Sequence, residues 1–143
     1  MDLLPNALSF RVVTTIDVDD DDQIPRGFTG RVRRRFPNGQ RTVAWLRGGV
    51  LHDPAASHPA FRVLRPDGSV KYEMHYREGV LHDPRPRIPA VRGYFANGTL
   101  HYEERYQGGR RHDGPKGEAA LRKWRADGTL RHELRYVDGA RVA

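Results

Sequence analysis

The chain has 143 residues, enough for one domain with a modest core. Mean hydropathy is -0.77, 30% of residues are charged, and cysteine is absent, which excludes disulfides, thiolate catalysis and cysteine-based zinc sites. The net charge is +7 but uneven: residues 1–26 hold six aspartates against Arg11 and Arg26, a net of -4, so the remainder carries +11.

Such a surplus, built almost wholly from arginine, favours anionic partners or is simply an arginine-rich surface. No apolar run approaches the ~20 residues of a membrane helix, and no basic-then-apolar leader opens the chain. A cytoplasmic protein is expected, which the lack of cysteine suits.

In chain order, residues 8–18 are rich in β-branched side chains and predict a strand. The run Asp19-Asp20-Asp21-Asp22 ends it, since like charges repel. The run lacks the alternation and glycine of a calcium loop. The expectation is a solvated loop docked on the basic stretch Arg31–Arg35. Residues 1–26 are read as an N-terminal capping strand plus acidic loop.

From residue 27 onward the chain repeats. Ala60-Phe-Arg-Val-Leu-Arg-Pro-Asp-Gly68 returns thirty residues later as Ala90-Val-Arg-Gly-Tyr-Phe-Ala-Asn-Gly98, and thirty later again as Ala120-Leu-Arg-Lys-Trp-Arg-Ala-Asp-Gly128. A fixed period decides architecture before any other feature. The copies run about 27–59, 60–89, 90–119 and 120–143. The first is degenerate: it is one residue short between Asn38-Gly39 and Gly49, and Arg35 stands where Leu64, Tyr94 and Trp124 stand later. Terminal repeats are commonly atypical.

Each copy reads as β. Asp67-Gly68, Asn97-Gly98 and Asp127-Gly128 predict tight type I′ turns. The following strand alternates, placing Val70, Tyr72, Met74 and Tyr76 inward and Lys71, Glu73 and His75 outward. Glu104 and His132 depart from the inward pattern. A second turn at Glu78-Gly79, Gly108-Gly109 and Asp138-Gly139 leads to a short third strand, and His-Asp-Pro or His-Asp-Gly-Pro then crosses to the next copy. No helix is expected; Lys116–Trp124 is the only candidate, and its register with Ala60–Leu64 favours strand. The fold expected is all-β: about three and a half 30-residue β-meanders forming one long twisted antiparallel sheet.

The pattern Tyr94-x-x-Asn97-Gly98-x-Leu100-x-x-Glu103-x-x-Tyr106-x-x-Gly109 resembles the variant MORN repeat of bacterial YwqK-like antitoxin or immunity proteins. Trp124 through Gly139 fits equally, and Leu64 through Gly79 fits with leucine for the aromatic. The resemblance covers about residues 30–140. It implies an array of β-hairpins that binds something along its sheet, with scaffolding, membrane attachment and toxin neutralisation as the roles it suggests. The thirty-residue period is longer than usual, stretched by the His-Asp-Pro crossover.

Three histidines recur in register at His52, His82 and His112, each followed by aspartate. Strands lie about 4.8 Å apart, so equivalent residues of successive copies sit roughly 10–14 Å apart. Zinc needs its histidine nitrogens at about 2.0–2.1 Å, so one ion cannot be shared. The bland role is preferred: aspartate caps a turn and histidine closes a strand. No serine elbow, phosphate loop or carboxylate pair is present, so no catalytic residue, metal or cofactor is expected.

The outward row carries bases around one acid per copy. Its candidate partner-binding residues are Arg62, Lys71, His75, Arg92, His101, Arg105, Arg122, Arg131 and Arg135. Arg against Glu73, Glu103 and Glu133 on neighbouring strands also makes a purely structural ladder, each pair worth about 0.2–1 kcal/mol. The expected function is a non-catalytic protein-binding module of antitoxin or immunity type with an acidic protein partner. The alternative is a peripheral binder of anionic lipid or nucleic acid. A homodimer through the C-terminal sheet edge is a further expectation.

Overall fold

A computed structural model describes residues 14–85 and 87–142 and is all-β. The predicted strand at residues 8–18 is present as β1, Thr15–Val18; residues 8–13 lie outside the described residues. Copy 1 supplies β2 (Gly30–Arg35), β3 (Arg41–Arg47) and β4 (Val50–Leu51). Copy 2 supplies β5 (Phe61–Leu64), β6 (Val70–Met74), β7 (Tyr76–Arg77) and β8 (Val80–Leu81). Copy 3 supplies β9 (Val91–Tyr94), β10 (Leu100–Glu104), β11 (Tyr106–Gln107) and β12 (Arg110–Arg111). Copy 4 supplies β13 (Leu121–Trp124), β14 (Leu130–Val137) and β15 (Ala140–Val142).

One long sheet runs β1-β2-β3-β5-β6-β9-β10-β13-β14-β15. All its pairings are antiparallel except β1 with β2, where the capping strand enters parallel. The helix candidate Lys116–Trp124 ends in strand β13, as its register implied. The acidic run folds as a single 3-10 turn, Asp21–Gln23, with the Asp20 side chain accepting from the Asp22 amide.

The predicted type I′ geometry is found at the second turn and not at the first. At Asp67-Gly68 only the glycine is left-handed (φ 91). Gly68 N donates to Arg65 O and Arg65 N to Ser69 O, both at 2.8 Å. That is a three-residue loop with a glycine bulge, which lets Pro66 take the early position its fixed φ suits. The paired positive φ of type I′ occurs at the second turn instead, at Glu78 (49) and Gly79 (83) and again at Asp138 (49) and Gly139 (85).

The third strands do not extend the sheet as expected in copies 2 and 3. β7 pairs only with β8, and β11 only with β12, as small side hairpins. The crossover is the physical reason. His75 N and Arg105 N still donate to Ala90 O and Ala120 O, both at 2.7 Å, but beyond them the previous copy's aspartate occupies the edge. Asp53 N donates to Tyr76 O and Asp83 N to Tyr106 O, both at 2.9 Å. The hairpins also touch each other, with Gly79 N donating to Leu51 O at 2.7 Å and Gly109 N to Leu81 O at 3.0 Å.

The alternation also breaks. Leu64 pairs Val70 while Val63 pairs Tyr72, so Lys71 is an extra residue, a β-bulge. The same bulge falls at His101 and at Arg131. Copy 1 has none, since Arg35–Arg41 and Arg34–Thr42 pair without a shift. The single residue missing from copy 1 is therefore the bulge residue. Val70 now shares a face with Leu64 rather than with Tyr72.

Burial follows these constraints. Ala60, Ala90 and Ala120 are fully buried where the crossovers rejoin the sheet, and Val63, Val91 and Leu121 form the buried positions of the opposite face. Glu104 is no defect of the inward pattern. It takes the place of Met74, and its partner Arg111, at 3.1 Å, takes the place of Leu81.

Candidate partner-binding face

The strand registers trace two rows across the sheet, one on each face. The first runs Asp17, Arg33, Val43, Arg62, Glu73, Arg92, Glu103, Arg122, Glu133, each directly opposite the next. From Arg62 onward it alternates in sign. Nε–Oε2 distances are 3.0 Å for Arg62–Glu73, 3.5 Å for Arg92–Glu103 and 2.9 Å for Arg122–Glu133. Tyr94 adds its hydroxyl to Glu73 at 3.2 Å, and Glu103 is buried. Opposite charges directly across strands stabilise the sheet, so these three arginines are ladder rungs.

The second row, on the other face, runs Val18, Arg34, Thr42, Val63, Tyr72, Gly93, Tyr102, Lys123, His132. Each bulge adds its extra side chain here. His101 stacks on Phe95 with ring centroids 4.1 Å apart and meets Tyr102 edge-on at 5.4 Å. The Tyr102 ring lies over Gly93, where even a methyl group would collide with it. Lys71 and Arg131 occupy the equivalent bulge position and are exposed. Beyond Arg34, which pairs with Asp21, this row contains Lys71, His101, Lys123, Arg131 and His132, interleaved with Tyr72 and Tyr102, and no carboxylate.

The remaining three candidates sit under the crossovers. His75 and Arg105 are buried, each 4% exposed. His75 Nδ1 donates to Asp53 Oδ2 at 2.7 Å, and Arg105 lies 3.6 Å from Asp83. Arg135 lies 3.5 Å from Asp113 and donates to Gly117 O at 2.7 Å. The nine predicted residues thus do not form one basic face. Arg62, Arg92 and Arg122 neutralise glutamates, and His75, Arg105 and Arg135 anchor crossovers. Lys71, His101 and Arg131 are turned to the opposite face by a bulge that simple alternation does not foresee.

The crossover aspartates reach further than the turn-capping role their sequence position predicts. Asp53 Oδ1 accepts from Ala60 N at 2.8 Å and Tyr76 N at 3.0 Å. Asp83 repeats this with Ala90 N and Tyr106 N, and Asp113 with Ala120 N and Tyr136 N. Each carboxylate ties its own crossover to the next copy. Burial pushes the Asp83 pKa above the ordinary carboxylate range, although both amides and Arg105 oppose it. His52 and His112 accept at Nδ1 from the backbone of Glu78 and Asp138, so both are bound into the next hairpin. Among the described residues, no group of three His, Cys, Asp or Glu side chains is placed to hold a metal ion, and no helix is long and apolar enough to cross a membrane.

At the capped end, Asp17 receives Arg33 through two bonds, at 2.8 and 3.0 Å, and Asp21 receives Arg34 at 3.1 Å. The acidic segment therefore docks on the basic stretch. The Arg33 hydrogen bond holds the Asp17 carboxyl below its ordinary pKa. A depressed folded-state pKa gives stability that is present above the unfolded value and lost as pH falls through the folded one. In a carboxyl NMR titration, Asp17 is expected to titrate lower in the wild type than in R33A.

No protein family matches this chain, and neither the characterised proteins nor the solved structures contain a match.

Proposed function

We propose that the chain is a non-catalytic repeat protein acting as a protein-binding module. The role suggested by its resemblance to variant MORN repeats is that of an antitoxin or immunity protein. The observation that carries this reading is the division of labour between the two rows. The repeated polar residues of chemical type are engaged in structural bonds: the Glu–Arg ladder, the crossover aspartates, and His52 and His112. Beyond copy 1, where Arg34 pairs with Asp21, the bulged row keeps its bases free of carboxylates and sets them among tyrosines. Tyrosine and arginine are the side chains on which protein interfaces concentrate their energy.

The same row favours a second reading, adhesion to nucleic acid or anionic lipid, because bases interleaved with aromatic rings also suit a polyanion. Capture from the native cell at low salt, followed by washes at about 0.15 M and about 1 M NaCl, separates the two. One protein retained in stoichiometric amount through the stronger wash is the expected result. Retention of lipid or nucleic acid alone, lost in the stronger wash, replaces it with the second reading.

A further inference from the structure

The ladder has one missing rung. Its sign alternates from Arg62 to Glu133, and Asp17 faces Arg33 at the other end, but between Arg33 and Arg62 the opposing residue is Val43. Val43 stands thirty residues before Glu73, at the position where the next three copies carry Glu73, Glu103 and Glu133. Copy 1 thus has the strand geometry of the ladder without its carboxylate.

The neighbouring row on the same face deepens the deficit. Arg35 and Arg41 lie directly opposite one another on β2 and β3, an arrangement of like charges that disfavours the sheet. Neither has an ion-pair partner among the described residues. The other charged groups nearby are largely committed: Asp17 to Arg33, Asp21 to Arg34 and Glu73 to Arg62. Asp19 lines the same cleft but forms no ion pair. The cleft is open, of about 620 Å³, with Val43 and Leu64 among its lining. That volume is ample for an acidic side chain with its methylene stem.

We infer that this cleft, where Arg35 and Arg41, without a counter-charge among the described residues, stand beside Val43 and Leu64, receives a carboxylate from an acidic side chain of a protein partner, which completes the ladder from outside. The inference rests on the protein-binding reading for the source of the carboxylate. It does not rest on that reading for the existence of the site. Asp17 shows the mode in place: a carboxylate seated on Arg33 by a bidentate fork, the geometry that suits guanidinium.

Val43→Glu supplies the rung internally, and Val43→Gln controls for lost apolar packing. V43E is expected to melt about 2–4 °C above V43Q at low salt, a gap that closes at about 1 M NaCl. V43E melting at or below V43Q in low salt overturns the site. The second arm uses a fluorescein-labelled oligoglutamate peptide, with oligo-dT and inorganic phosphate as comparison probes. The peptide is expected to bind the wild type, about tenfold more weakly to R35A/R41A, and undetectably to V43E. Equal binding to all three proteins overturns the site, and preference for oligo-dT or phosphate overturns the carboxylate assignment. A captured protein retained equally by wild type and R35A/R41A overturns this docking while leaving the module reading intact. Peptide binding lost in both variants, with no protein captured, supports the cleft and sinks the module reading.

Discussion

Replacing Asp83 by alanine is expected to cost about 3–6 kcal/mol of folding stability. The Asp83 side chain holds two backbone amides, Ala90 N at 2.8 Å and Tyr106 N at 2.9 Å, and faces the buried Arg105 at 3.6 Å. Alanine leaves both amides without this acceptor, at about 1–3 kcal/mol each, and removes a counter-charge 3.6 Å from a buried guanidinium. Domains of this size have only about 5–15 kcal/mol in total. The loss therefore shows as a large fall in the urea midpoint.

Asp83→Asn separates the two contributions, because asparagine keeps an acceptor oxygen for the amides. D83N is expected to recover more than half of the loss. Burial raises the Asp83 pKa in the folded state. A raised folded-state carboxyl stabilises most below its unfolded pKa and least above its folded one, so the margin of wild type over D83N narrows as pH rises. D83N as unstable as D83A would mean that charge, and not the amide bridge, holds successive copies together.

The fold was legible because its signals are local and recur. Glycine turns, β-branched alternation and the thirty-residue period each act within a few residues, and together they predict the all-β sheet. What was not legible depends on contacts across copies. The sequence marks Lys71 only as one residue more than copy 1 has; that the extra residue is a bulge, and turns a base to the other face, requires the pairing of Val63 with Tyr72. Likewise His75 and Arg105 alternate like surface residues, and only the folding of the crossover over them makes them buried partners of Asp53 and Asp83. The type I′ expectation at Asp67-Gly68 failed because the strands are joined by a three-residue loop in which only the glycine is left-handed, and copies 3 and 4 form the same loop with Ala96 and Ala126 in place of Pro66. The Arg–Glu ladder was foreseen, because directly opposed residues share a face whatever the bulge does beyond them.

Reversing two charges on the bulged row, K71E with R131E, is expected to weaken the captured partner about a hundredfold, equivalent to about 2.7 kcal/mol. Both residues are exposed, so the melting temperature should barely move. The matched control swaps a rung of the ladder far from Val43, R122E with E133R. The pair is retained with its sense reversed, at 2.9 Å in the wild type, and affinity should stay within a fewfold of the wild type. The opposite pattern, with the ladder swap abolishing binding and the bulge reversal silent, would move the interface to the other face. Deleting Lys71 outright is the sharper form of the same experiment. Copy 1 already folds without a bulge, pairing Arg35–Arg41 and Arg34–Thr42 in unbroken register. The deletion should therefore keep the sheet intact and remove one base from the row. A deletion that unfolds the protein would show that the bulge serves the twist of the sheet. A folded deletion with weakened binding would show that it serves the partner.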